Sequence, residues 1–222
     1  PYSLLLTAQN HGVEAVDVLE KVQGKIPETQ RLAAAIYVQE TAVLPEEATR
    51  KIRNWVTENS HSRNSVESAM LYEHFLRVTG EFEQAAELNR QLMAMMPENI
   101  NLLNNQAWLL TALGDAQGAV TLVERAIELA GPRSSLLDTR GMARLSMNNT
   151  ADGIEDLNNA LAQKESDIVR YHLALAYLRA GNEETARVNF GKIRVDRADI
   201  RRLLPISEQE EFDRIVETHA MP

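Results

Sequence analysis

Five histidines and several adjacent acidic pairs are the residues of this sequence best suited to chemistry. Histidine can bind a metal or exchange a proton near neutral pH, and two carboxylates can share acid–base work. The histidines are His11, His61, His74, His172 and His219. Their spacing matches no metal-ligand motif, so we expect them to be structural or surface residues. We expect acidic pairs such as Glu46-Glu47 and Glu183-Glu184 to begin helices, where negative charge is favourable.

Other signatures of catalysis are missing from the sequence. The chain has no cysteine, which excludes disulfides, zinc thiolate sites and cysteine nucleophiles. It contains no glycine-rich phosphate loop, no nucleophile elbow and no His-Glu-x-x-His motif. We therefore predict that the protein is not an enzyme, and that it takes no cofactor and no metal.

Charge and hydropathy indicate which classes of partner the chain does not bind. The net charge of −9 argues against nucleic-acid binding, which needs a positive surface. No apolar run approaches the roughly 20 residues that cross a bilayer, so we expect no membrane insertion by this segment. The chain opens with Pro1-Tyr2-Ser3, without an initiator methionine or a signal-peptide pattern, so we expect it to be a piece of a longer protein. The sequence leaves open whether its compartment is cytoplasmic or periplasmic.

The residues must be positioned by helices, because a helical pattern recurs with a fixed period. Three sets of positions move together in steps of 34, 34 and 33 residues. The sets are Gly80, Gly114, Asn148 and Gly181; Ala85, Ala119, Gly153 and Ala186; and Leu92, Ala126, Ala160 and Ile193. The first set is suited to a left-handed turn between helices. The second lets paired helices approach closely, and the third lies two turns further along the second helix.

This pattern resembles the tetratricopeptide repeat. The clearest unit, Val66–Asn99, carries Thr79-Gly80-Glu81-Phe82, Ala85-Ala86, Leu92 and Pro97. The resemblance implies an all-α, right-handed solenoid of stacked antiparallel helix pairs with a C-terminal capping helix. It divides the chain into a partial repeat at 1–28, a degenerate repeat at 29–62, repeats at 66–99, 100–133, 134–167 and 167–198, and a cap at 199–222.

Two regions depart from the family pattern. Upstream, Ala42-Val43-Leu44-Pro45 replaces the glycine turn of the second unit, which otherwise keeps Ala48 and Trp55. Downstream, we expect a short helix at Asp199–Leu204 and a last helix opened by Ser207 and ending near Thr218. Its expected inner face is Phe212, Ile215 and Val216. Its expected solvated face is Glu208, Glu210, Glu211, Asp213 and Glu217.

The resemblance also implies a ligand site, because the first helix of each repeat lines a concave groove in this family. The groove positions are His74, Arg77, Asn101, Asn104, Asn105, Trp108, Thr111, Asp138, Met142, Tyr171 and Arg179, with Tyr37 and Glu40 from the second unit. Asparagine amides could hold a peptide backbone, Trp108 and Tyr171 could anchor it, and arginine could fix a carboxylate. The alternative is that the asparagines are solvated and Trp108 packs between helices.

Two functions from different classes follow. The first is a non-catalytic protein–protein interaction scaffold that binds a peptide or partner protein in the groove. The second is a structural spacer or assembly module within a larger multidomain or exported bacterial protein. Chaperone C-termini are not expected as ligands, since no three consecutive units supply the Lys, Asn and Arg set of the clamp-type members and Asn105 matches alone.

Overall fold

This computed structural model describes residues 12–21, 25, 27–41, 44, 46–59, 65–195, 200–201, 204 and 206–219. Within these residues the chain forms twelve helices, joined by turns and loops, and no strand. The helices are α1 (Gly12–Lys21), α2 (Glu28–Thr41), α3 (Glu46–Asn59), α4 (Val66–Val78), α5 (Phe82–Met95), α6 (Ile100–Ala112), α7 (Ala116–Ala130), α8 (Ser134–Ser146), α9 (Thr150–Gln163), α10 (Asp167–Arg179), α11 (Glu183–Phe190) and α12 (Ile206–His219). The all-α prediction is confirmed. None of the helices in these ranges is both long and apolar enough to cross a membrane.

The chain divides into two units, Pro1–Leu88 and Asn89–Pro222, which are described separately. Some predictions lie outside the described residues, and they concern His11, His61, Ala42, Val43, Pro45 and Asp199, together with the side chains of Glu40, Trp55, Ser207 and His219. In the first unit the small residues Ala15, Ala35 and Ala48 are buried on α1, α2 and α3.

Four helix ends share one turn geometry. Gly80, Gly114 and Gly181 have positive φ, and so does Asn148, at 61°. Around Gly114, the Asp115 amide donates to the Leu110 carbonyl at 2.8 Å, which closes a Schellman motif. The Gly114 amide also donates to the Thr111 carbonyl, at 3.1 Å. The same two backbone hydrogen bonds are made at the other three turns. The prediction that these positions adopt a left-handed turn between paired helices is confirmed.

The small residues of the second set lie where paired helices touch. Ala85, Ala119 and Ala186 are fully buried. In the third pair a Cβ on Gly153 would lie 3.0 Å from Leu145, and one on Gly141 would lie 2.9 Å from Leu157. The two glycines therefore let α8 and α9 pack closely; the spacing predicted this for Gly153 and not for Gly141.

Three apolar clusters hold the second unit together, and each joins one helix pair to the first helix of the next. Leu103 of α6 and Val123 of α7 cluster with Leu136 of α8. Leu157 of α9 lies in a cluster that also includes Leu137 of α8 and residues of α10. The third cluster joins α10 and α11 to Phe212 and Ile215 of α12. Each helix thus covers its apolar side with its neighbours, as in a repeat array.

The end of the array differs from the expected register. Helix α11 ends at Phe190, so Ile193 lies beyond it instead of two turns along the helix. Ile193 still packs against the last apolar cluster. The predicted inner face of α12 is confirmed, since Phe212 and Ile215 are buried and Val216 is partly buried.

Candidate functional site

The predicted groove residues of the second unit lie on the first helices of three successive pairs, α6, α8 and α10. We call these residues the first-helix set: Asn101, Asn104, Asn105, Trp108, Thr111, Asp138, Met142, Tyr171 and Arg179. His74 and Arg77 lie on α4 in the first unit and are treated by themselves. The structure places these groups in three different environments.

On α4 the two predicted residues contact each other. Arg77 Nη2 donates to His74 Nδ1 at 2.8 Å, and Arg77 Nε donates to Glu73 Oε1 at 2.7 Å. Glu73 is only 2% exposed, so the guanidinium also neutralises a buried carboxylate. Glu73 was not predicted from the sequence. Its engagement makes Arg77 first of all a structural residue of α4.

On α6 the predicted residues remain at or near the surface. Asn101 is exposed, whereas Asn104, Asn105, Trp108 and Thr111 are partly buried. The Asn104 Oδ1 atom is buried and has no hydrogen-bond partner among the described residues. Thr111 donates its hydroxyl to the Ala107 carbonyl at 3.0 Å, which occupies that donor within the helix. Helix α6 therefore carries an acceptor, Asn104, whose hydrogen bond is not made inside the described chain.

A buried polar contact fixes how α6 is oriented. Asn89 of α5 is fully buried, and its Nδ2 donates to the Leu102 carbonyl and to Gln106 Oε1, each at 2.9 Å. Because Leu102 and Gln106 lie one turn apart on α6, these bonds restrict rotation of the helix about its axis. Asn89 was not predicted from the sequence. Its position in the second helix of a pair, away from the predicted groove, gave no signal of this role.

On α10 the predicted anchor is a core residue. Tyr171 is fully buried, with its ring 5.5 Å from that of Phe212 and 6.1 Å from that of Phe190, centroid to centroid. The prediction that Tyr171 lines a groove is therefore wrong, because α12 covers it. Met142 of α8 packs against the same cluster.

Asp138 is joined to α10 and α12 through a histidine that was predicted to be structural. His172 Nδ1 lies 2.7 Å from Asp138 Oδ1, and His172 Nε2 lies 2.9 Å from Glu208 Oε2. The His172 side chain is only 6% exposed. The three residues stand at equivalent points of successive first helices, 34 and 36 positions apart. That spacing was the signal that could have found them.

The electrostatics of this cluster favour a charged histidine. Burial lowers the pKa of His172, but the charges and hydrogen bonds of Asp138 and Glu208 outweigh burial and hold that pKa well above its ordinary value. The two carboxylates approach opposite nitrogens of the ring and do not converge on one point. Among the described residues, no group of His, Asp and Glu has an arrangement that could hold a metal ion.

Two further ion pairs attach α12. Arg179 Nη2 donates to Glu211 Oε1 at 3.2 Å, and Arg201 Nε donates to Asp213 Oδ1 at 2.8 Å. The predicted solvated face of α12 is therefore wrong for Glu208 and Glu211, both of which contact α10. Arg201 precedes α12 in the chain, and its carboxylate partner lies on that helix. Arg179 is thus engaged with the chain's own carboxylate.

Solved structures share this arrangement of helices. The chain is similar to a tetratricopeptide repeat protein from Parabacteroides merdae ATCC 43184, with a TM-score of 0.62 and 14% identity over 99% of this chain and 90% of that chain. A thermophilic protein of the same repeat type from Thermus thermophilus gives a TM-score of 0.58 and 16% identity, over 84% of this chain and 93% of that chain. MamA from Desulfovibrio magneticus RS-1, from position 41 to its end, gives a TM-score of 0.53 and 18% identity, over 85% of this chain and 96% of that chain.

These likenesses show the fold alone, since the identities are all below one fifth. No family model matches the chain, and no curated protein matches it in sequence. The four left-handed turns, the three inter-pair clusters and these structures define the class of fold: the chain has the fold of tetratricopeptide-repeat proteins, an α-solenoid of stacked helix pairs.

Proposed function

We propose that the protein is a non-catalytic interaction scaffold, and that α6 carries the contact with a segment of a partner protein. The division of the chain into repeats with the boundaries given above belongs to the same proposal. The fold supports a scaffold, because stacked helix pairs present extended surfaces that suit protein partners. Fold alone does not identify a function, so particular residues must support the proposal.

The observation that carries the proposal is the unpaired acceptor on α6. Asn104 Oδ1 is buried without a hydrogen-bond partner among the described residues. A buried acceptor that makes no bond is unfavourable, and because the Asn104 side chain is partly exposed, a small rotation would bring its oxygen to a donor of a bound segment. Trp108, four residues along the same helix face, is partly buried and offers the large apolar surface that anchors interfaces.

The experiment compares partner recovery between matched variants of the full chain. Trp108→Ala and Asn104→Leu each remove one contact from α6, whereas Leu129→Ala removes an exposed apolar side chain from the end of α7. Each tagged variant is used to capture proteins from the source organism, and recovery is measured by quantitative mass spectrometry. We expect that one protein is recovered in similar amounts with the parent and with Leu129→Ala. Its recovery should fall at least tenfold with each of the two α6 variants. Equal recovery by all four proteins would exclude α6 as the contact.

A structural role is the second candidate, and it is favoured for the α8–α10 part of the first-helix set. Asp138, Tyr171 and Arg179 make their contacts within the chain, through His172, Phe212 and Glu211. Residues engaged in this way support a spacer or assembly module. The same capture experiment separates the two roles, because a spacer predicts no protein whose recovery depends on Trp108.

A further inference from the structure

The contact between α12 and the rest of the second unit includes one titratable group with two acidic partners. His172 of α10 lies between Asp138 of α8 and Glu208 of α12, at 2.7 Å and 2.9 Å. The Asp138 and Glu208 side chains are 18% and 14% exposed, so all three groups are largely shielded from water. Three helices thus meet at one imidazole ring.

The protonation state of His172 decides how many of these bonds can form. Ionised carboxylates only accept hydrogen bonds, and a neutral imidazole has a single N–H. The imidazolium form can donate to Asp138 and Glu208 together. The neutral form can donate to only one of them, and its other nitrogen then turns a lone pair toward a carboxylate.

We propose that the attachment of α12 is controlled by pH: the proton shared through His172 links Asp138 to Glu208, and its loss loosens α12 from α8 and α10. This inference does not depend on the binding role proposed for α6. It concerns a different helix and a different set of contacts.

The other charged groups around this contact are carboxylates that face arginines. Glu211 of α12 pairs with Arg179 of α10, and Arg214 lies 3.9 Å from Glu211. Arg201 pairs with Asp213. Arginine stays charged throughout the range of interest. On α10 itself the neighbouring Tyr171 hydroxyl is buried, and burial raises its pKa. His172 is therefore the group whose charge changes first as the pH rises above neutral.

The direction of the effect follows from linkage. The pKa of His172 is held well above about 6.5, the ordinary value in an unfolded chain. A raised pKa in the folded state contributes stability that is fully present below that ordinary value. The contribution is lost as the pH rises through the folded pKa. We therefore expect α12 to be attached at neutral and mildly acidic pH and to loosen in alkaline solution.

The test follows α12 and His172 in the same full-length sample. Amide exchange, expressed as protection factors that correct for the pH dependence of intrinsic exchange, is measured from pH 6 to pH 10, and the His172 ring is titrated by NMR. We expect protection in α12 to fall at least tenfold, with a midpoint that follows the ring. Glu208→Gln keeps an acceptor but removes one charge, and should lower the midpoint by about one pH unit or more.

Glu211→Gln is the matched control, because it removes a carboxylate from the same helix that faces an arginine. Its midpoint should stay with that of the parent. His172→Gln should give protection in α12 that no longer varies with pH, whatever its level. Protection that is constant in the parent up to pH 10, or equal midpoints for Glu208→Gln and Glu211→Gln, would overturn the proposal.

Discussion

Helices α6 and α10 are each the first helix of a pair in the second unit, yet their polar residues make different contacts. On α10, Tyr171 and His172 are buried against α12, and Arg179 pairs with Glu211. On α6, Asn101 is exposed and the Asn104 acceptor has no bond among the described residues. Equivalent positions can therefore be bonded within the chain on one helix and lack a hydrogen bond among the described residues on another. Which of the two occurs depends on the side chains of the helix that packs next to that position.

The difference can be followed along one row of equivalent positions. Asn104, Asp138, His172 and Glu208 succeed one another at steps of 34, 34 and 36 residues. The last three form a chain of opposite charges, carboxylate to imidazole to carboxylate, in which each member satisfies the next. Asn104 is the neutral member of the row and makes none of these bonds. The row is therefore bonded within the chain from α8 to α12, and α6 is the helix to which the proposed function assigns the partner contact.

The largest expected effect tests what holds α6. Ala119 is fully buried between α6 and α7, so Ala119→Glu would place an unpaired charge in that contact. We expect the free energy of unfolding to fall by about 3–5 kcal/mol, as measured by urea denaturation. Gln117→Glu on the exposed side of α7 is the control and should stay within about 0.5 kcal/mol of the parent. A variant Ala119→Glu as stable as the parent would mean that the pairing of α6 with α7 is misplaced.

A smaller and more local effect is expected where α12 packs on α10. Phe212 is 4% exposed and packs on Tyr171, so Phe212→Ala should weaken the attachment of α12 by about 3 kcal/mol. Amide exchange should show faster opening in α12 and α10 while α6 and α7 keep the rates of the parent. Glu210→Ala, an exposed change on α12, should leave all four helices unaffected. Loss of protection in α6 and α7 as well would show that the two regions unfold as one.

The parts of this fold that the sequence predicts well are those fixed by a residue and its near neighbours. A left-handed turn favours glycine or asparagine wherever it occurs, so Gly114 and Asn148 could be placed from type and spacing. A close helix contact requires a small residue, which placed Ala119 and Gly153. Ile193 was placed on α11 because the period was carried past the end of the helix, which ends at Phe190 and is capped by Gly191.

The site was harder to predict, because it depends on how α12 returns to the array. The contacts of Tyr171, His172 and Arg179 are made with residues of α12 that follow them by more than 30 positions, and α12 lies outside the 34-residue period. Family resemblance assigned Tyr171 and Arg179 to a groove, and nothing in their local sequence says that a later helix covers them. On α6, where the following element is another repeat, the family pattern still stands as a prediction.

The smallest expected effect concerns two buried polar atoms without a hydrogen-bond partner among the described residues, the Tyr171 hydroxyl and Asn104 Oδ1. The Tyr171 hydroxyl is buried without a hydrogen-bond partner among the described residues, and burial raises its pKa, so it stays neutral. Removing such a group relieves an unfavourable desolvation, and Tyr171→Phe should leave stability unchanged or raise it by up to about 1 kcal/mol. Asn104→Leu should behave similarly in urea denaturation, yet only Asn104→Leu should reduce partner recovery. If Tyr171→Phe instead loses more than about 1 kcal/mol, the hydroxyl makes a bond in solution, and α10 and α6 differ less than the structure indicates.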